Sequence, residues 1–207
     1  MRDLITEFEE SRRRVTAGVL GDGDAHVVEL RRRLRAPAAD VWDACTDPVR
    51  VQRWFLPLSG DLRPGGRYQL EGNAGGSILV CERPHRLALS WEFGDMSPGL
   101  VTLELVEADD GSTELVLRHT VADDGHWAQY GPGAVGVGWD LPLAVLAVLV
   151  AGGEPPTGAE FMTDPRTPGL MRSSAEAWGD AHRDSGADPG VARDAAAQTS
   201  AAYAPQG

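Results

Sequence analysis

Lysine is missing from this chain. All 19 basic residues among its 207 are arginine, which removes Schiff-base chemistry on a lysine amine. Together with the richness in Ala, Gly and Pro, this points to a high-GC bacterial genome. Cysteine is nearly missing. Cys45 and Cys81 stand far apart in sequence, in neither a metal-ligand nor a redox spacing, and the simplest setting for them is a reducing cytoplasm. Positive charge is scarce: the net charge is −12, which disfavours a phosphate backbone as partner, since such binding needs a basic face. Two arginine runs stand against this. Arg12 to Arg14 follow Glu7, Glu9 and Glu10 and read as a solvated helix face, while Arg31 to Arg33 fall in an expected strand and point to alternate sides. No nucleic-acid partner is therefore expected. No His-Glu-x-x-His or comparable cluster exists, so neither metal nor cofactor is expected, and no Gly-x-Ser-x-Gly elbow occurs. The acidic start "MRDLITEFEE" does not read as a signal peptide. Long apolar runs are short too: the one stretch without a polar residue, Leu141 to Ala151, is about half the ~20 residues a membrane span needs.

What remains is patterned. Residues 3–19 read as a helix with Leu4, Ile5, Phe8 and Val15 on one face, and "GDGD" as a turn-forming linker. "HVVELRRRLRAP" reads as a strand ended by Pro37, which opens a short helix, "PAADVWDAC". "DPVRVQRWF" opens another, with Asp47 as N-cap and Pro48 as first residue. Then come "GRYQLEG", "GSILVCE", "RLALSWEF", "LVTLELVEA" and "STELVLRHTV", five strand-like runs whose short Gly-, Pro- and Asp-rich separators favour an antiparallel meander. Leu87, Leu89, Trp91 and Phe93 share one face of their run. Thr113, Leu115, Leu117 and His119 share one face of the last. "GVGWDLPLAVLAVLVAGG" follows as a buried helix. Pro142 should kink it or mark a new segment capped by Asp140. "TGAE" fits a capping box, "TPGLMRSSAEAWGDAHRD" a helix with the stripe Leu170, Met171, Ser174, Ala177, Trp178, Ala181, and "DPGVARDAAAQTSAAY" another.

The phrases "APAADVWDACTDPVRVQRWF", "GDLRPGGRYQL", "ERPHRLALSWEF", "GSTELVLRHT" and "GVGWDLPLAVL", in this order over residues 26 to 151, resemble the START-like superfamily (SRPBCC, Bet-v-one-like), in the branch of homologues of the activator of the heat-shock protein ATPase. The resemblance implies an α+β helix-grip fold, in which a curved antiparallel sheet wraps a long C-terminal helix over a mostly apolar cavity. It implies no single activity. The chain departs from the simple pattern by an extra N-terminal helix and a long C-terminal part. The expected organisation is an N-terminal helix and linker (1–24), the helix-grip domain (25–153) and a helical extension (154–207) packing on it. The apolar helix is hydrophobic all round, so its outer face needs a cover, for which residues 157–203, the N-terminal helix or a second copy in a homodimer would serve.

"GPGAVG" carries the letters of a dinucleotide fingerprint but lacks the preceding strand and the second parallel strand; its glycines are read as close-approach and helix-entry positions. On the helix-grip frame, Trp54, Phe55, Tyr68, Trp91, Phe93, Leu117, His119, Trp127, Trp139 and Leu143 are the candidate ligand-binding residues, and His119, Tyr68 and Glu71 weak catalytic candidates. His126 is expected at the cavity mouth; His26, His85 and His182 carry no expected role. The expected function is binding of a small hydrophobic molecule without obligatory chemistry. The alternatives are a polyketide cyclase/dehydratase-like or hydrolytic enzyme needing two convergent polar groups, and, below it, a co-chaperone ATPase activator.

Overall fold

The computed structural model describes residues 2–204; Met1 and 205–207 of the expected terminal segments lie outside them. Helix α1 (Arg2–Glu9) leads into strand β1 (Arg12–Leu20), which turns into β2 (Gly23–Leu34). The helix expected over 3–19 thus ends at Glu9, and the rest is the edge strand of the sheet. The reason is local. Val15, Thr16 and Val19 are β-branched and Gly18 is a poor helix former. Gly21, at φ 61°, closes a tight turn that sets Leu20 opposite Gly23 and Arg12 opposite Arg31. Nine paired residues outweigh a helical pattern in which Val15 is the last apolar member.

Two short helices follow, α2 (Ala38–Thr46) and α3 (Pro48–Val51). Pro37 sits at the N-cap of α2 rather than inside it. The Asp47 side chain caps α3 by accepting from the Val49 and Arg50 amides. Strands β3 (Leu58–Gly60), β4 (Arg67–Leu70), β5 (Gly75–Glu82), β6 (Arg86–Trp91), β7 (Gly99–Glu107) and β8 (Thr113–Ala122) complete one antiparallel sheet of order β1-β2-β8-β7-β6-β5-β4-β3. The meander accounts for the run from β3 to β8, and β8 closes back onto β2. One face of the sheet is charged: Arg118 on β8 bonds Glu29 on β2 at 2.7 Å and Glu104 on β7 at 2.8 Å. The other face carries Leu30, Leu103, Leu105, Leu115 and Leu117 into the core.

Over that face lie α4 (Gly125–Tyr130) and α5 (Gly133–Val150), then α6 (Gly158–Thr163), α7 (Thr167–Asp184) and α8 (Pro189–Tyr203). Asp124 caps α4, the Thr157–Glu160 pair forms a capping box on α6, and Asp188 caps α8. Helix α5 runs unbroken through Pro142, so Asp140 caps no new segment. By length and composition α5 could cross a membrane, but 67% of it is buried in the fold. Its side away from the sheet is covered within the chain. Leu4 and Phe8 of α1 meet Ala144 and Leu170, and Trp178 of α7, fully buried, lies so close to Gly136 that a Cβ there would collide with the indole. Asp140 turns into this interface. It accepts from Arg13 Nε (2.9 Å), Ser174 Oγ (2.5 Å) and Trp178 Nε1 (3.0 Å). Burial pushes its carboxyl pKa upward, against those three partners. Beside it, buried Arg32 reaches Glu7 Oε2 (2.9 Å) and Ser11 Oγ (3.1 Å).

Candidate functional site

Between the sheet and α5 the packing is hollow. A cavity of about 420 Å³ is bounded by the ends of β6, β7 and β8, by α4 and α5, and by the last turn of α8. This lies in the usual size range of small-molecule sites. The alternation of β8 delivers His119 to it: Leu115 and Leu117 fill the core below, and the next residue on that face, His119, is 3% exposed and borders the space. Trp91 ends β6, and Trp139 lies nearly two helical turns into α5; Phe55 follows α3. These four rings form one assembly. Trp91 stands 5.1 Å from Trp139 and 5.4 Å, edge-on, from His119; Phe55 lies 5.3 Å from Trp139. Trp127 of α4 makes the far wall, stacked on His26 at 3.9 Å and met edge-on by His182 at 5.4 Å. Burial and the neighbouring His26 hold the His182 pKa down. Exposed Phe93, Met96, Ser97 and His126 form the rim.

The electrostatics of the floor follow from one hydrogen bond. The Trp139 indole donates through Nε1 to His119 Nδ1 at 3.2 Å. An indole nitrogen can only donate, so Nδ1 is a bare acceptor and the proton of the neutral ring sits on Nε2. Burial pushes the His119 pKa down to about 4, and the ring is neutral near pH 7.

A second cavity, of about 130 Å³, lies on the other side of Phe55, Trp91 and Trp139, which border both. Its walls include Trp54, Tyr68, Leu117 and Leu143, with Leu70, Ile78, Leu87 and Leu89. The half-exposed state of Leu87 and Leu89 arises here, from facing an inner space. Trp54 is pinned by its indole N–H to Ala44 O at 2.8 Å. The Tyr68 hydroxyl, whose pKa burial raises, donates to Ser90 O at 2.8 Å. Cys45 and Cys81, distant in sequence, border this same space. Burial pushes the Cys45 thiol up to about 12, which denies it thiolate character at neutral pH.

All ten candidate ligand residues border one of these two spaces. Phe93, His119 and Trp127 border the larger, Trp54, Tyr68, Leu117 and Leu143 the smaller, and Phe55, Trp91 and Trp139 both. The three catalytic candidates are not brought together. Glu71 is exposed and borders neither cavity, because it lies in the turn after β4; as a partner for His119 it is corrected. Sequence reasoning passed over Gly99, Gly138 and Tyr203. Tyr203 reaches the cavity from α8 and donates to Ala134 O at 2.7 Å; only the fold-back of the C-terminal helices, invisible in local pattern, puts it there. In "GPGAVG", Gly133 abuts Thr199 and Gly136 abuts Trp178, so these glycines serve close helix approach.

A curved antiparallel sheet closed over a long C-terminal helix, with a cavity between them, defines a helix-grip protein of the START-like class. Within that class the chain belongs to the family of Activator of Hsp90 ATPase homolog 1-like proteins, which matches residues 35–151. CalU16 from Micromonospora echinospora is similar at 35% identity in its crystal structure, over 83% of this chain and 97% of CalU16, with a TM-score of 0.71. Its solution structure agrees at 34% identity over 84% and 96%, with a TM-score of 0.73. CV1439 from Chromobacterium violaceum, at 24% identity over 63% of this chain and 98% of its own, shows the shared fold alone, with a TM-score of 0.51. No curated protein matches the chain.

Proposed function

We propose that this protein binds a small hydrophobic molecule in the larger cavity, without obligatory chemistry. The observation that carries this reading is a space of about 420 Å³ walled by Phe55, Trp91, Trp127 and Trp139, with His119 on its floor as the single buried polar side chain among the described residues that line it. Apolar walls with few placed polar groups are the usual composition of a ligand site. The same observation weighs against the enzymatic reading. Acid–base work needs two groups in reach of the reacting atoms, and the partner of His119 is an indole N–H, which does not titrate. Tyr68 is committed to Ser90 in the other cavity. The co-chaperone reading has only the family description behind it. We place the protein in the cytoplasm, where its two free cysteines stay reduced. Covering of α5 by α1 and α7 leaves a homodimer without a structural task.

Thermal-shift and tryptophan-fluorescence titration with uncharged polycyclic aromatics tests the reading. Saturable binding that quenches tryptophan emission and raises Tm is expected, since a ligand that binds only the folded state stabilises it. A structure with the space between β8 and α5 filled by side chains, and no shift from any compound, would sink it.

A further inference from the structure

The reading of the larger cavity as a ligand site can be taken one step further, to the chemistry of what it accepts, and the step rests on that reading. We infer that His119 is the specificity-determining residue of the cavity. It offers one N–H donor, at Nε2, to a flat uncharged ligand whose carbonyl or ether oxygen accepts from it, and the cavity turns away the carboxylate counterpart.

Three observations converge on this. First, Trp139 occupies Nδ1 of His119, which fixes the proton on Nε2, and Nε2 makes no hydrogen bond to any described residue. The ring is 3% exposed and borders the cavity, so this donor faces the space a ligand would fill, and a ligand oxygen placed there can accept from it. Second, the way to Nε2 is open because residue 99 is glycine. A Cβ there would lie 2.8 Å from Nε2 and 2.9 Å from Thr120 O. Third, the charge of the lining is one-sided. Among the described residues no arginine borders the cavity, and its one carboxylate, Asp124, is engaged in capping α4, accepting from His126 N at 2.9 Å and Trp127 N at 3.1 Å. A ligand carboxylate would be buried with no cation to meet it, which is strongly unfavourable. Aromatic side chains, Phe55, Trp91, Trp127 and Trp139, make up much of the lining, which suits an aromatic guest.

The test uses three tricyclic probes on the full chain. These are anthracene, which has no acceptor; anthraquinone, which carries carbonyls on the central ring; and 9-anthracenecarboxylate, which carries a charge at the same place. Affinities are read by quenching of tryptophan fluorescence. The expected result is that the anthraquinone-to-anthracene affinity ratio falls by about 3- to 10-fold in His119→Phe, the range of one net hydrogen bond. His119→Gln, which keeps an N–H donor, should hold the wild-type ratio. The carboxylate should bind at least ~30-fold more weakly than anthraquinone. An unchanged ratio in His119→Phe, or a carboxylate that binds as tightly as the quinone, overturns the inference while leaving cavity binding intact. If none of the three binds, both readings fall. Should His119→Phe not fold, ¹⁵N spectra of wild-type His119 decide. A protonated Nε2 whose signal moves with anthraquinone and not with anthracene is expected; a protonated Nδ1, or an unmoved Nε2, overturns it.

Discussion

Gly136 and Gly138 stand two residues apart on α5 and face opposite conditions. At Gly136 there is no room for a Cβ against Trp178. At Gly138 the nearest neighbour of a Cβ would be the Tyr203 hydroxyl, at an ordinary 3.4 Å. The contrast extends along the helix. The side toward α1 and α7 is solid, with Ala144 set between Leu4 and Leu170 and Asp140 fully buried among three donors. The side toward the ends of β6 to β8 borders about 420 Å³ of space. In a simple helix-grip frame the sheet side would be the core and the far side would face water. Here the far side is packed too, and the open space lies on the sheet side, beyond the core that Val137, Leu143 and Leu146 form with the strands. Protein interiors ordinarily close to crystal-like density, and one side of α5 shows that this sequence can do so. The hollow on the other side is lined by large rings in mutual contact, Phe55 and Trp91 on Trp139 at 5.3 and 5.1 Å, and Trp91 on His119 at 5.4 Å.

The largest effect is expected where the solid side is broken. Asp140→Ala removes the acceptor shared by Arg13, Ser174 and Trp178, leaving a guanidinium that is 11% exposed without its charge partner. Loss of one member of a buried pair costs about 3–5 kcal/mol, to be read as a lower urea midpoint. Arg13→Met combined with Asp140→Leu should recover part of that loss, because no buried charge is then left alone. If the double variant is as unstable as Asp140→Ala, the charge pairing is not what this side depends on. Ligand affinity per folded molecule should stay unchanged in both, since neither residue borders the cavity.

The hollow side should instead announce itself through pH. His119 has a folded pKa of about 4 against an unfolded value near 6.5. Between those values the unfolded chain binds a proton that the folded chain refuses. Stability is therefore fully present above about pH 6.5 and falls as pH drops toward 4, by about 3 kcal/mol in all. His119→Phe should remove most of this slope in urea denaturation at stepped pH, leaving the part that His182, whose pKa is also held down, contributes. A curve that keeps its slope between pH 4 and 6.5 would place the dependence elsewhere.

The two sides were not equally legible in the sequence. Residues of the hollow side follow strand alternation and helical phase on a recognisable frame. Leu117 and His119 share a strand face, and Trp139 and Leu143 lie one turn apart, so local pattern places them. The solid side depends on partners far along the chain. Arg13 and Asp140 are 127 residues apart, and no periodicity links them; even the element carrying Arg13 reads locally as helix. The all-round apolarity of α5 did signal that something must cover it. What it could not signal was that a charged residue, Asp140, would face the cover. A lone acid in an apolar run reads as a cap or an interruption until Ser174 and Trp178, four apart on α7 and hence on one face, are seen to meet it. Glu71 shows the converse failure: a polar residue near the site in sequence, but just past the end of β4, where the chain has already turned outward.

The smallest effect on stability is the sharpest on the comparison. Gly138 lies inside α5 and borders the cavity; its φ is not positive, so an L side chain suits the backbone. Gly138→Ala should stabilise the fold by about 0.5–1 kcal/mol, the propensity gain of alanine over glycine in a helix. It should leave binding of an uncharged aromatic probe nearly intact. Gly138→Leu keeps most of the propensity gain but puts a branched side chain into the cavity, so affinity should drop at least ~10-fold while Tm holds or rises. Loss of binding without loss of stability separates blocking of a site from damage to the fold. The same change one turn-face away, Gly136→Ala, must push against the Trp178 ring and should lose stability with affinity unchanged. If instead both glycine variants lower Tm alike, and Gly138→Leu still binds the probe as wild type does, the hollow side of α5 is not where the ligand goes.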